Sequence, residues 1–135
     1  MSKVSTAIVI AFMMATPAVA KDFKAVNGIV VVPHAKGFAV TGDAGLGARG
    51  IWCAAADYVR KTERVKPGQR LYVAEDRERG LGQRNPVVFT VSPAGLTPSS
   101  AVILGTSISR AGANLSVGHA FGFCSDHKLS RGGNL

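Results

Sequence analysis

The rhythm of apolar and polar positions changes along this chain, and each change predicts an element. Residues 23–33, FKAVNGIVVVP, carry a β-branched run that predicts a strand bent at Asn27-Gly28. GFAVT at 37–41 predicts a second strand, entered through the turn HAK. At 51–62 the period lengthens. Trp52, Ala55, Ala56 and Val59 fall at i, i+3, i+4 and i+7, the apolar stripe of a helix, with Asp57, Arg60 and Lys61 expected to face water. Pro67-Gly68 ends that segment, and alternation returns. Strands are predicted at 70–74, 86–92, 101–109 and 115–124, joined by the charged connection DRERGLGQRN at 76–85, the turn Ser92-Pro93-Ala94-Gly95, and RAGAN. The polar tail after Ser125 is expected to fray.

The stretch LSVGHAFGFC reads as a strand with two unlike faces. Leu115, Val117, His119, Phe121 and Phe123 share one; Ser116, Gly118, Ala120, Gly122 and Cys124 share the other. The small-residue face invites close approach, and the alanine-rich helix carrying Cys53 is its expected neighbour. The opposite face then needs a second cover, which a sheet curving on itself would supply. The fold expected is therefore α+β: one short helix packed on a curved antiparallel sheet of about five or six strands, in a single domain tied by Cys53–Cys124.

The first residues change this picture by removing themselves from it. Met1-Ser2-Lys3 is a short cationic start, residues 4–16 are uncharged and mostly apolar, Pro17 breaks the run, and Ala18-Val19-Ala20 offers small residues for cleavage. This pattern predicts a secretory signal over 1–20, cut before Lys21, and a single domain over 21–135. The apolar run is short for a membrane span, and KDFK follows at once. The periplasm or the exterior is the expected destination. Cys53 and Cys124 are the only cysteines; in an oxidising compartment they point to one intramolecular disulfide. No C-x-x-C redox motif is present.

Charge suggests the partner. The chain holds 16 Lys plus Arg against 8 Asp plus Glu, a net +8, and losing Lys3 with the leader leaves +7. Such a surface favours an anionic polymer, lipid or envelope protein, while export removes nucleic acid inside the cell from consideration.

Residues 45–50, GLGARG, match the G-x-G-x-x-G of a dinucleotide turn, between a predicted strand and helix, with Glu75-Asp76 placed for a ribose. Against that reading stand export, a domain too small for a doubly wound sheet, and strands rather than a second helix beyond Glu75. No cofactor is implied. The same helix start, with Arg49 and Gly50, remains a candidate site for a small anion. Arg77, Arg79 and Arg84 in the 76–85 connection form a second candidate. Arg60, Lys61, Arg64 and Lys66 make a further basic strip, for which a helix-end role suffices.

His119, Cys124, Asp126 and His127 cluster in sequence, and Cys124-x-x-His127 has spacing seen in metal sites, but a disulfide at Cys124 withdraws the thiolate, so no metal site is assigned. No G-x-S-x-G elbow and no convincing carboxylate pair is found. The chain therefore reads as a non-catalytic binding or accessory domain of the cell envelope. Two rivals are an enzyme built around Arg49, Glu75, His119 and His127, and an inhibitor presenting the 76–85 loop.

Overall fold

The computed structural model describes residues 21–78, 85–100 and 108–132. In chain order the elements are β1 (Phe23–Lys24), β2 (Val30–His34), β3 (Gly37–Val40), α1 (Gly47–Thr62), β4 (Arg70–Val73), β5 (Val87–Thr90), β6 (Ser99–Ser100), β7 (Ala113–Ser116), α2 (Val117–Gly122) and α3 (Ser125–Gly132). The strands form one sheet in the order β1-β2-β3-β5-β4-β7-β6. Pairing is antiparallel except at the edge, where β6 runs parallel to β7. The α+β fold with a helix on an antiparallel sheet is thus present. Seven strands lie among the described residues, and the two at the edges, β1 and β6, have two residues each.

The bend at Asn27-Gly28 divides the first predicted strand as expected, and β2 and β3 form a hairpin with Val31 opposite Val40 and Val32 opposite Ala39. Gly37 lies at φ 147°, and a Cβ there would run into the carbonyl oxygen of Phe89, so only glycine lets the start of β3 lie this close to β5. Both β3 and β4 run antiparallel to β5, and so parallel to each other. The connection from β3 through α1 to β4 is a split crossover with β5 inserted in the middle.

Inward positions alternate along each strand: Val31 on β2, Phe38 and Val40 on β3, Leu71 and Val73 on β4, Phe89 on β5. They meet the apolar stripe of α1, where Trp52, Cys53, Ala55, Ala56 and Val59 are fully buried. Trp52 sets its ring edge-on against Phe89, centroids 4.9 Å apart. The sheet's other face holds a smaller buried cluster, Ala39, Ala74 and Val88, with Val32 against it.

The predicted strand over 115–124 is corrected. Only Ala113–Ser116 is strand; Val117–Gly122 is helix. Ser116 is the physical reason: its hydroxyl accepts from the His119 amide at 3.2 Å and caps α2. The segment buries Val117, Ala120, Phe123 and Cys124, of which Val117, Ala120 and Cys124 fall at i, i+3 and i+7. The supposed small-residue strand face does not exist as a face, and its opposite needs no second sheet to cover it. The tail is corrected as well: Ser125–Gly132 is helical, with Asp126 in its first turn favouring the positive end of the dipole. Residues 101–107 of another predicted strand lie outside the described residues, and 108–110 form a turn.

The expected bridge is present. Cys53 and Cys124 are disulfide-bonded, with Cα atoms 4.9 Å apart across 71 residues. Around it the C-terminal segment runs antiparallel along α1. The amides of Val117 and Gly118 donate to Gln69 and Pro67 near the C-terminal end of α1, Phe121 meets Arg60, and Asp126 meets Arg49 at the N-terminal end.

Candidate functional site

The glycine turn is organised by its own residues. The Asp43 carboxylate accepts from the Gly45 amide at 2.9 Å, and its carbonyl accepts from Leu46, also at 2.9 Å. Gly45 and Gly47 take φ of 75° and 63°, which a side chain disfavours. Gly50 is needed for closeness: a Cβ there would stand 2.7 Å from both the Asp43 carbonyl oxygen and the Leu46 Cβ. Its own carbonyl accepts from the buried Asn27 amide group at 2.8 Å. All three glycines are accounted for by turn geometry. The sheet beneath is also unlike the one a dinucleotide turn serves, since β5 runs antiparallel between the two flanking strands.

Beside this turn lies an open cavity of about 570 Å³, lined by Thr41, Asp43, Gly47, Arg77 and Asn85 among others. The structure therefore brings Arg77 to the start of α1. Arg77 Nε donates to the Asn85 carbonyl at 2.8 Å, and Asp43 puts a carboxylate on the same wall. Arg79 and Arg84 lie outside the described residues. Arg49 points elsewhere: it pairs with Asp126 through Nε and a second nitrogen, at 2.6 and 3.0 Å, and covers the Phe123 ring at 4.7 Å.

Of the enzymatic alternative, Glu75 lies apart from Arg49 and His119. Glu75 binds Lys36 at 3.0 Å and lies near His34, across the turn between β2 and β3. Arg49 and His119 meet instead on Phe123, His119 at 5.3 Å between centroids. Among the described residues, no group of three or more His, Cys, Asp or Glu is placed to hold a metal ion.

A second cavity, of about 460 Å³, opens at the other end of α1. Three parts of the chain build it. The bend after β1 contributes Val26, the end of α1 and the residues beyond it contribute Asp57, Arg60, Lys61, Arg64, Val65, Lys66 and Pro67, and α2 contributes Phe121. Asp57 holds these parts together. The expectation that it faces water is corrected: Asp57 is only 1% exposed, because its carboxylate accepts from the Val26 amide at 2.8 Å and from Lys61 at 3.2 Å. Lys61 Nζ lies 3.0 Å from the other oxygen, Oδ1, which has ionic contact but no aligned hydrogen bond. Arg60 lies over the face of Phe121 at 3.6 Å. Arg60, Arg64 and Lys66 have no carboxylate partner among the described residues. Glu63 is the next acid in sequence; crowding by the protein raises its carboxyl above the ordinary 4.5, although the side chain stays exposed.

This basic strip was visible in the sequence, but Val26, Asp57 and Phe121 were not legible as its companions. The only sequence signal for Asp57 is an acid one turn before Lys61 on a helix. Comparison with known protein families, curated proteins and solved structures finds no match for this chain.

Proposed function

We propose that the chain is a small exported, non-catalytic binding module that meets an anionic partner through the basic end of α1. The observation that carries this is how the charges are distributed. The acids of the domain are largely engaged internally: Asp57 with Lys61, Glu75 with Lys36, Asp126 with Arg49, while Asp43 and Asp76 accept backbone amides. Arg60, Arg64 and Lys66 are left together without such partners among the described residues.

Helix-end stabilisation explains only part of this strip. The dipole favours cations within the last turn of a helix, which covers Arg60 and Lys61. Arg64 and Lys66 lie beyond Thr62, where that effect has faded. The cavity at the glycine turn is the weaker candidate, because Asp43 faces the same space as Arg77. A disulfide within the fold is compatible with an oxidising compartment, as the export reading requires. Among the described residues no helix is long and apolar enough to cross a membrane.

The test is retention on immobilised heparin, eluted with a salt gradient. Wild type should be retained, and Arg64→Asn/Lys66→Gln should elute at distinctly lower salt, because each lost contact reduces the salt-dependent part of the affinity. Asn suits position 64, where φ is +52°. Equal elution of the two proteins, or no retention of wild type, would remove the reading.

A further inference from the structure

The cavity at the end of α1 is not only basic. Its floor is carbon: Val26, 46% exposed, with Val65, Pro67 and Phe121 beside it. A valine left this open in a cavity that an aromatic ring also lines gains nothing from a purely ionic partner. Asp57, the one acid lining the space among the described residues, is paired with Lys61 and turned toward the Val26 amide. Arg60 spends the face of its guanidinium on Phe121 and makes no hydrogen bond among the described residues, so its N–H edge remains available to an oxyanion. A cationic rim over an apolar floor complements a molecule with the opposite arrangement: negative charge at one end and hydrocarbon at the other.

We infer that this cavity is a docking site for a membrane phospholipid with an anionic headgroup. The phosphate meets Arg60, Arg64 and Lys66, and the first carbons of the acyl region rest on Val26, Val65, Pro67 and Phe121. Fixed cations near a charged bilayer supply the attraction, and a shallow apolar contact supplies the preference for lipid over a soluble polyanion. This inference rests on the anion-binding reading above and narrows it to one partner.

The experiment compares two probes on the disulfide-intact protein: sedimentation with vesicles of phosphatidylcholine, with and without phosphatidylglycerol, and retention on heparin. Val26→Ser removes apolar contact at a half-exposed position and leaves the backbone amide that Asp57 holds. Arg64→Asn removes charge. Wild type should bind only the vesicles containing phosphatidylglycerol. Val26→Ser should weaken that binding about fivefold with heparin retention unchanged, and Arg64→Asn should weaken vesicle binding by a similar factor and shift heparin elution as well. Thermal unfolding of each variant confirms that the fold persists. Heparin retention without vesicle binding, or vesicle binding indifferent to Val26→Ser, would overturn the lipid assignment and leave the anionic reading standing. Binding to neither probe would overturn both.

Discussion

Asp57 shows how one residue joins folding to the proposed site. Aspartate is a poor choice for the interior of a helix, and a buried carboxylate carries a desolvation cost. It is retained here at 1% exposure because it accepts the amide of Val26, which belongs to a bend far away in sequence. Removing it leaves that amide without its acceptor and Lys61 without its partner. Asp57→Ala is therefore expected to lower stability by about 1.5–3 kcal/mol, the range for hydrogen bonds to a charged group. Asp57→Asn keeps an oxygen for Val26 and should lose less, about 1 kcal/mol. Urea unfolding of the two variants decides the matter; equal losses would mean that the Val26 contact contributes nothing. In the sequence Asp57 is legible only as a polar position on a helix. Its partner is 31 residues away, and no local pattern encodes that distance.

At the scale of elements, the glycine motif and the C-terminal segment teach opposite lessons. The order strand, glycines, helix is readable around 41–51, but α1 begins at Gly47, inside the motif, because the Asp43 turn delivers the chain already coiled. Each glycine has a different duty, and this separates their mutational costs. Gly45→Ala meets open space and only a disfavoured φ, a loss of about 1 kcal/mol. Gly50→Ala drives a methyl against a backbone oxygen that cannot rotate away, so its loss should be larger, about 1–3 kcal/mol. Thermal or urea unfolding gives the ranking, and a reversed order would mean that the turn relaxes around position 50. In LSVGHAFGFC, by contrast, alternation at 115–123 and the helical set Val117, Ala120 and Cys124 are superimposed on the same residues. Short apolar runs satisfy both periods. The Ser116 cap decides between them, and the amides of Val117 and Gly118 are taken by Gln69 and Pro67 rather than by a neighbouring strand.

For the molecule as a whole, the disulfide fastens the long axis of α1 to the segment that returns beside it. Cys53 is fully buried and Cys124 nearly so, which places the bridge within the core rather than on the surface. Closing a loop of 71 residues restricts the unfolded chain, and the chain-entropy account gives about 4 kcal/mol. Cys53→Ala/Cys124→Ala should therefore shift the urea midpoint by that amount of stability, while heparin retention of the folded protein stays the same. A shift below about 1 kcal/mol would mean that the Arg49–Asp126 pair and the Arg60–Phe121 stack hold the seam without it.

Where a residue's structural partner is close in the chain, the sequence by itself determined the outcome. The helix stripe from Trp52 to Val59, the bend at Asn27-Gly28, the strands at 70–73 and 87–90 and the hairpin between β2 and β3 all follow from local period and turn chemistry. The pairing of two lone cysteines followed as well, since there was only one intramolecular pairing to make. Tertiary structure alone decided the insertion of β5 between β3 and β4 and the meeting of Val26, Arg64 and Phe121 around one cavity. The reason is physical. Local pattern states which face of an element must be buried, but many neighbours can bury it, and the choice among them is made by packing across the whole domain.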